Sequence, residues 1–244
     1  MTELTHDAFL GGRLHLWQPK RGYRAGVDPV LLAASVPARP GDTLLELGCG
    51  VGAAMLCVMA RVPGVTATGI EIQPDYAALA QRNGADVIAA DLRVLPHEIR
   101  QRQFTHVIMN PPYFDRARGS ASDDAGRDMA MAGDTPLADW LDVGIRRLAP
   151  GGYLSLIQHI TRLPDCLSAV NARLGSLIVR PIASRAGRAP GLFLMQGRAA
   201  GRAPFRMLSP LILHEGTRHE GDSESYTKEV AAILRDGAAL SFQD

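Results

Sequence analysis

Cysteine is scarce in this sequence: Cys49, Cys57 and Cys166 are its three thiols, and no two of them form a C-x-x-C pair. An odd count spread this widely excludes a disulfide framework and a cysteine-built zinc site, and no other metal site is expected. Lysine is scarcer still, with Lys20 and Lys228 alone, so arginine carries nearly all the positive charge. Net charge is +1, and a field that weak names no partner. Long apolar runs are missing too. The uncharged stretch at 47–60 is too short to cross a bilayer. The opening "MTELTHDAFLGG" has no basic segment followed by an apolar one, so it does not read as a secretory signal, and a cytoplasmic location is expected. One absence is local: from 166 to 214 there is no Asp or Glu, while Arg173, Arg180, Arg185, Arg188, Arg198, Arg202 and Arg206 all fall in that window. Such a one-signed block can track phosphates, and the plainer alternative is a solvated face in an arginine-favouring chain.

At 244 residues the chain has room for one main α/β domain and a small appendage. Short apolar strands alternate with helical stretches, the pattern of a mostly parallel sheet covered by helices on both faces. "GVDPVLLAASV" is expected to open the ordered part, with Asp28 capping a helix whose first position is Pro29. Strands are expected at 43–48, 65–71, 86–91, 104–110, 153–159, 176–184 and 191–198, giving seven. Helices are expected at 53–62, from Pro74 to Gly84, after the fourth strand with a cap at Asp134 or Thr135 and a close at Pro150 and two glycines, and at 163–175, with none between the third and fourth strands. Residues 115–134 lack periodicity and read as a long mobile loop, and the tail reads as one further strand or extended piece plus a last helix. The expected organisation is an N-terminal segment and helix at 1–40, a core at 41–199, and a C-terminal extension at 200–244.

Three strand ends carry chemistry. "LELGCGVG" follows the first strand, and Gly48, Gly50 and Gly52 allow a tight turn and close approach of backbone to a ligand at a helix N-terminus. Alone this is weak, because Gly48, Gly50 and Ala53 also fit a loose dinucleotide fingerprint, and a simple turn fits as well. Glu71 ends the second strand, where a carboxylate can accept from ribose hydroxyls. Asp91 ends the third, beside the place where an adenine would lie, or serves as a strand-end turn aspartate. With these residues the chain resembles the class I S-adenosylmethionine-dependent methyltransferases. The resemblance implies a Rossmann-like fold and a cofactor held by Glu46, Gly48, Cys49, Gly50, Gly52, Glu71, Ile72, Asp91, Leu92 and Asn110.

The fourth strand runs straight into "NPPY", Asn110 to Tyr113. Pro111 and Pro112 have fixed φ and no N–H, so the stretch reads as a rigid rack of acceptors with carbonyls pointing outward. An amine conjugated to a ring or carbonyl is a poor nucleophile. Two acceptors, the Asn110 side-chain oxygen and the Pro111 carbonyl, favour a tetrahedral nitrogen with its lone pair released. Tyr113 offers a face for a planar base, with Phe114 a possible second wall. The alternative is an Asn-Pro turn closing a strand.

NPPY resembles the motif of the amino-methyltransferases, with Asn110, Pro111, Pro112 and Tyr113 as catalytic residues. That group serves adenine, cytosine, guanine in rRNA, and the release-factor glutamine amide. "WQPKRGYRAGVDPVLLAA" and "YTKEVAAILR" are similar to segments of the bacterial tRNA(Val) adenine-37 N6-methyltransferases. That resemblance implies that Gln18, Arg24 and Asp28 line the cofactor or target pocket, and that the partner is the anticodon loop of a tRNA. An NAD oxidoreductase, in which NPPY would have no task, and a non-catalytic RNA-binding protein are the readings from other classes.

Overall fold

The computed structural model describes residues 3–113, 135–170, 173–216 and 225–242. Order begins earlier than expected, with a hairpin: β1 (Leu4–Phe9) pairs antiparallel with β2 (Leu14–Pro19), Leu4 opposite Pro19 and Phe9 opposite Leu14. β1 carries Thr5, His6 and Asp7 in a row, which hides its alternation. β2 anchors the hairpin, because Leu16 is fully buried in the same cluster as Leu31 and Met55.

α1 (Val27–Ser35) follows and corrects the expected cap. Gly26 is the N-cap, and Asp28 lies inside the first turn without capping it. Then come β3 (Thr43–Leu47), α2 (Ala53–Arg61), β4 (Thr66–Glu71), α3 (Pro74–Arg82), β5 (Val87–Ala89), α4 (His97–Gln101) and β6 (Phe104–Met109). Of these only α4 was unforeseen, since 5 residues are too few to display a helical period. α5 (Leu137–Arg146) starts after Pro136, so Thr135 is not its cap; Asp134 and the expected loop at 115–134 lie outside the described residues. The helix also ends before Pro150. That proline and the glycines after it lie within the first part of β7 (Leu148–His159), where pairing with β6 shifts register between Phe104 and His106. An irregular stretch is where a strand tolerates proline.

α6 (Leu163–Val170), β8 (Leu174–Arg185), β9 (Leu192–Ala199), β10 (Arg206–Met207), β11 (Leu211–His214) and α7 (Lys228–Asp236) complete the chain. Among the described residues the main sheet has nine strands, ordered β10-β8-β9-β7-β6-β3-β4-β5, with β11 also on β8. The seven expected strands are β3 to β9, and the two extra are short edge pieces paired with β8. Pairing is parallel from β5 through β4, β3 and β6 to β7, and antiparallel where β9 lies between β7 and β8. The α/β class therefore stands.

Two buried clusters cover the two faces of the sheet, and alternate strand residues feed them. Leu44 and Ile108 face one cluster with Leu31, Met55 and Ile233, while Leu45, Leu47, Val107 and Met109 face the other with Leu141, Trp140 and Ile99. Both faces are thus covered at the centre, which leaves the edge at the strand ends as the open side. Among the described residues no helix is long and apolar enough to cross a membrane.

Candidate active site

Because β5, β4, β3 and β6 run parallel, the residues that follow them emerge on one edge. A pocket opens there, lined by Gly48, Cys49 and Gly50 after β3, Glu71 at the end of β4 and Ile72 after it, Asp91 and Leu92 after β5, and Asn110 to Tyr113 after β6. Such a crevice at the carboxyl ends of parallel strands is where open α/β sheets bind ligands. Asp28 and Glu46 line it as well. Three expected residues do not. Gln18 is buried outside it, where its Oε1 accepts from the Ala25 N–H at 2.8 Å and its Nε2 donates to Asp7 at 2.8 Å. Arg24 pairs with Asp7 at 2.7 Å and donates to Thr5, so it braces the hairpin. Gly52 caps α2 at φ 84, and a Cβ there would stand 3.1 Å from that of Ala85, so it serves helix packing.

The glycine loop is held from beneath. Gly48 and Cys49 both donate to the Ile70 carbonyl, at 2.7 and 3.0 Å. A Cβ at Gly48, where φ is 67, would lie 2.4 Å from the Trp140 ring. Only glycine fits, and the indole walls the pocket. Cys49 turns its sulfur onto β4, where it would touch a Cβ on Gly69; burial raises the thiol pKa well above its ordinary range, so it is no thiolate. It is thus both packing residue and pocket lining.

The acids differ in setting. Glu71 is buried, with Oε2 accepting from the Gly50 N–H at 2.8 Å and Oε1 from the Gln73 N–H at 2.9 Å. Burial raises its pKa against those bonds. The Ile72 backbone adds a third donor, and a carboxylate has about four acceptor positions, so room for a ligand hydroxyl remains. Glu46 lies deeper, accepts from the Met55 N–H at 2.9 Å, and is pushed up to about 8 by burial with Glu71 adding to the rise. Asp91 takes the turn role as well: it accepts from the Arg93 N–H at 2.8 Å and pairs with that guanidinium at 2.7 Å, which lowers its pKa.

NPPY is braced from two sides. The amide of Gln158 donates to the carbonyls of Pro111 and Pro112, at 3.2 and 3.4 Å, which corrects the expectation that both simply point outward. The Tyr113 hydroxyl donates to Asp28 at 2.6 Å. Burial, then the Asp28 charge, raises the Tyr113 pKa. Asn110 is half-buried on the pocket wall, and its side chain forms no hydrogen bond among the described residues. Phe114 lies outside the described residues.

The residues fit a cofactor that bears a nucleoside: a loop without projecting side chains, two carboxylates on adjacent strand ends, and the apolar Ile72 and Leu92 between them. Sequence reasoning missed Trp140, Tyr76 and Tyr23. Tyr23 lies over the glycine loop, 3.7 Å from a Cβ on Gly50, and its carbonyl accepts from the Tyr76 hydroxyl at 3.1 Å. It stands inside the "GYR" stretch that carried the resemblance, which was the available signal.

The arginine block is mostly structural. Arg173 pairs with Asp142, Arg180 with Glu229, Arg198 donates to the Gly151 carbonyl and Arg206 to that of Phe242. Arg185 is buried and donates to the Glu215 carbonyl. Arg188 is exposed in the turn between β8 and β9, on the same edge as the pocket.

The profile of the methyltransferase small domain matches residues 25–139. A tRNA1(Val) (adenine(37)-N6)-methyltransferase of Shewanella halifaxensis is 32% identical over 188 residues, 72% of this chain and 74% of that protein. One of the same name from Porphyromonas gingivalis is 30% identical over 234 residues, 86% and 89% of the two chains. Among solved structures, protein Atu636 of Agrobacterium tumefaciens, described as a predicted O-methyltransferase, superposes with a TM-score of 0.71 at 26% identity over 89% of this chain and 100% of that one.

Proposed function

We propose that this chain, which belongs to the family of the tRNA1(Val) (adenine(37)-N6)-methyltransferases, transfers a methyl group from S-adenosylmethionine to the 6-amino group of an adenine beside the anticodon of a tRNA. The observation that carries this reading is the placement of Asn110 and Pro111 on the wall of the pocket that Glu71 and the glycine loop complete. When bound, the cofactor supplies an electrophilic methyl on a sulfonium. Glu71 would hold its ribose and Asp91, with Leu92, its adenine, while Gly48 to Gly50 let it approach the backbone. Cys49 and Ile72 add wall, and Glu46 holds the first turn of α2, which follows the loop, through the Met55 N–H.

The chain's own part in the reaction is to prepare the amine. Its nitrogen lone pair is delocalised into the ring. Asn110 and Pro111 each accept one N–H, which favours a tetrahedral nitrogen and frees the lone pair for attack. No strong base is needed, because the nitrogen becomes acidic once methylated and can release its proton to water. Tyr113 offers a face for the base, worth about 1–3 kcal/mol. A base next to an anticodon lies in a loop and is splayed out at low cost. The guanine 2-amino group and the release-factor glutamine amide would use the same two acceptors. The tRNA reading is favoured because relatives named for it run along most of this chain.

This reading places the protein in the cytoplasm with its RNA, and treats 41–199 as the catalytic core between the N-terminal hairpin and helix and the C-terminal extension. The deciding experiment is incubation with methyl-labelled S-adenosylmethionine and an unmodified valine tRNA transcript, followed by nucleoside mass analysis. N6-methyladenosine at the position beside the anticodon is the expected product. Label in another nucleoside, or in a release factor supplied in a parallel reaction and not in the tRNA, overturns the substrate.

A further inference from the structure

We propose that Gln158 is a positioning residue for the transfer step: its buried amide sets the place of the Pro111 carbonyl, the backbone acceptor for the target amine, and of the Pro112 carbonyl beside it. The proposal rests on the reading of Asn110 and Pro111 as acceptors for that amine. Pro111 and Pro112 have no N–H, so the chain beyond β6 lacks the ladder bonds that would tie an ordinary strand end to its neighbour. β6 and β7 pair in parallel with Met109 opposite Leu156, and Gln158 follows two residues further along β7. It stands beside the stretch the ladder cannot hold.

The side chain is 0% exposed. Its Nε2 donates to the Pro111 carbonyl at 3.2 Å and the Pro112 carbonyl at 3.4 Å. Its Oε1 accepts from the His159 backbone N–H at 2.7 Å. That last bond decides the orientation, because the oxygen is committed to β7 and the NH2 end must face the prolines. A carbonyl oxygen has two lone pairs, so Pro111 keeps one for the substrate. Gln158 thus acts through the acceptors and does not touch the base. Losing the donor leaves the buried Pro111 carbonyl and the half-buried Pro112 carbonyl short of a partner and lets the rack move relative to the methyl donor, and small misplacements of reacting groups are costly in rate.

Gln158→Met keeps the volume and removes both hydrogen-bonding ends. On the tRNA substrate its kcat should fall about tenfold to a hundredfold, while calorimetry gives an unchanged cofactor affinity and KM for RNA stays near the parent's. Gln158→Glu removes the donor when ionised and restores it when protonated, so its kcat relative to the parent should rise as pH falls. A side chain that only fills space would not show this. Parental kcat in Gln158→Met, or a pH profile of Gln158→Glu parallel to the parent's, overturns the proposal. If the parent itself fails to methylate tRNA adenine, the substrate reading falls, and the carbonyl 13C resonances of Pro111 and Pro112 decide the remaining point. A shift in Gln158→Met supports the clamp, and unchanged resonances overturn it.

Discussion

The Tyr113 hydroxyl donates to the Asp28 carboxylate at 2.6 Å, so the last residue of NPPY is tied to the first turn of α1 across 85 positions of sequence. The ring face is therefore held from its far end, and the hydroxyl has work of its own. Tyr113→Phe should raise KM for the tRNA by about tenfold, in keeping with loss of a charge-assisted hydrogen bond. Asp28→Asn should do less, because an amide oxygen still accepts. Steady-state kinetics on the two variants and their double mutant check this. Additive effects would show that the two side chains act separately.

Asn110 is expected to matter for chemistry and little for the cofactor. Asn110→Ala removes the side-chain acceptor needed as the nitrogen becomes tetrahedral, so kcat should drop about a hundredfold or more with cofactor affinity nearly intact. Single-turnover methylation of an anticodon stem-loop is the measurement. A parental rate would reduce NPPY to a turn.

Glu71 and Asp91 should separate. Glu71→Ala removes a ribose acceptor and also frees the Gly50 N–H from its 2.8 Å bond, so cofactor affinity should fall about tenfold to a hundredfold. Asp91 is engaged by Arg93 on a more open rim, so Asp91→Ala should weaken binding by a smaller factor. Calorimetric titration with S-adenosylmethionine ranks them, and equal affinities for the Glu71→Ala protein and its parent would sink the assignment.

Glu46 predicts a pH dependence. Its pKa in the fold is about 8, raised from 4.5 by burial. Below about pH 4.5 the carboxyl is protonated in both folded and unfolded states, and its contribution to stability is fully present. As pH rises toward 8 the unfolded state releases the proton while the fold retains it, so stability declines by about 1.4 kcal/mol per pH unit from this group. Thermal unfolding of the ligand-free protein between pH 5 and 8 should show that decline, and Glu46→Gln should remove this part of it. Parallel curves for the two proteins would contradict the burial argument.

Arginine substitutions should act unequally. Arg185→Ala removes a buried side chain that donates to the Glu215 carbonyl and the Ser225 hydroxyl and should destabilise the protein by about 0.5–3 kcal/mol, without changing the salt dependence of RNA binding. Arg188→Ala should leave the melting temperature alone and reduce the salt slope by about one. Binding titrations at several salt concentrations distinguish the two, and an unaltered slope in Arg188→Ala assigns that side chain to a solvated surface.

Sequence alone determined the features that depend on local pattern. The alternation of buried strands with helices placed β3 to β9, because a strand covered on both faces must be apolar along its length and a parallel neighbour needs a crossover. Given parallel strands, Glu71, Asp91, the glycine loop and NPPY had to share one edge, since each follows its strand directly. The pairings within that edge were not legible. Gln158 meets Pro111 across 47 positions and Tyr113 meets Asp28 across 85, and no local periodicity encodes such contacts. The burial of Arg185, the Trp140 ring against Gly48 and the turning of Gln18 and Arg24 toward Asp7 were likewise decided only by packing. A polar side chain reads the same in sequence whether it faces solvent, a ligand or a distant backbone group, and the tertiary structure chooses by supplying a partner at hydrogen-bonding distance.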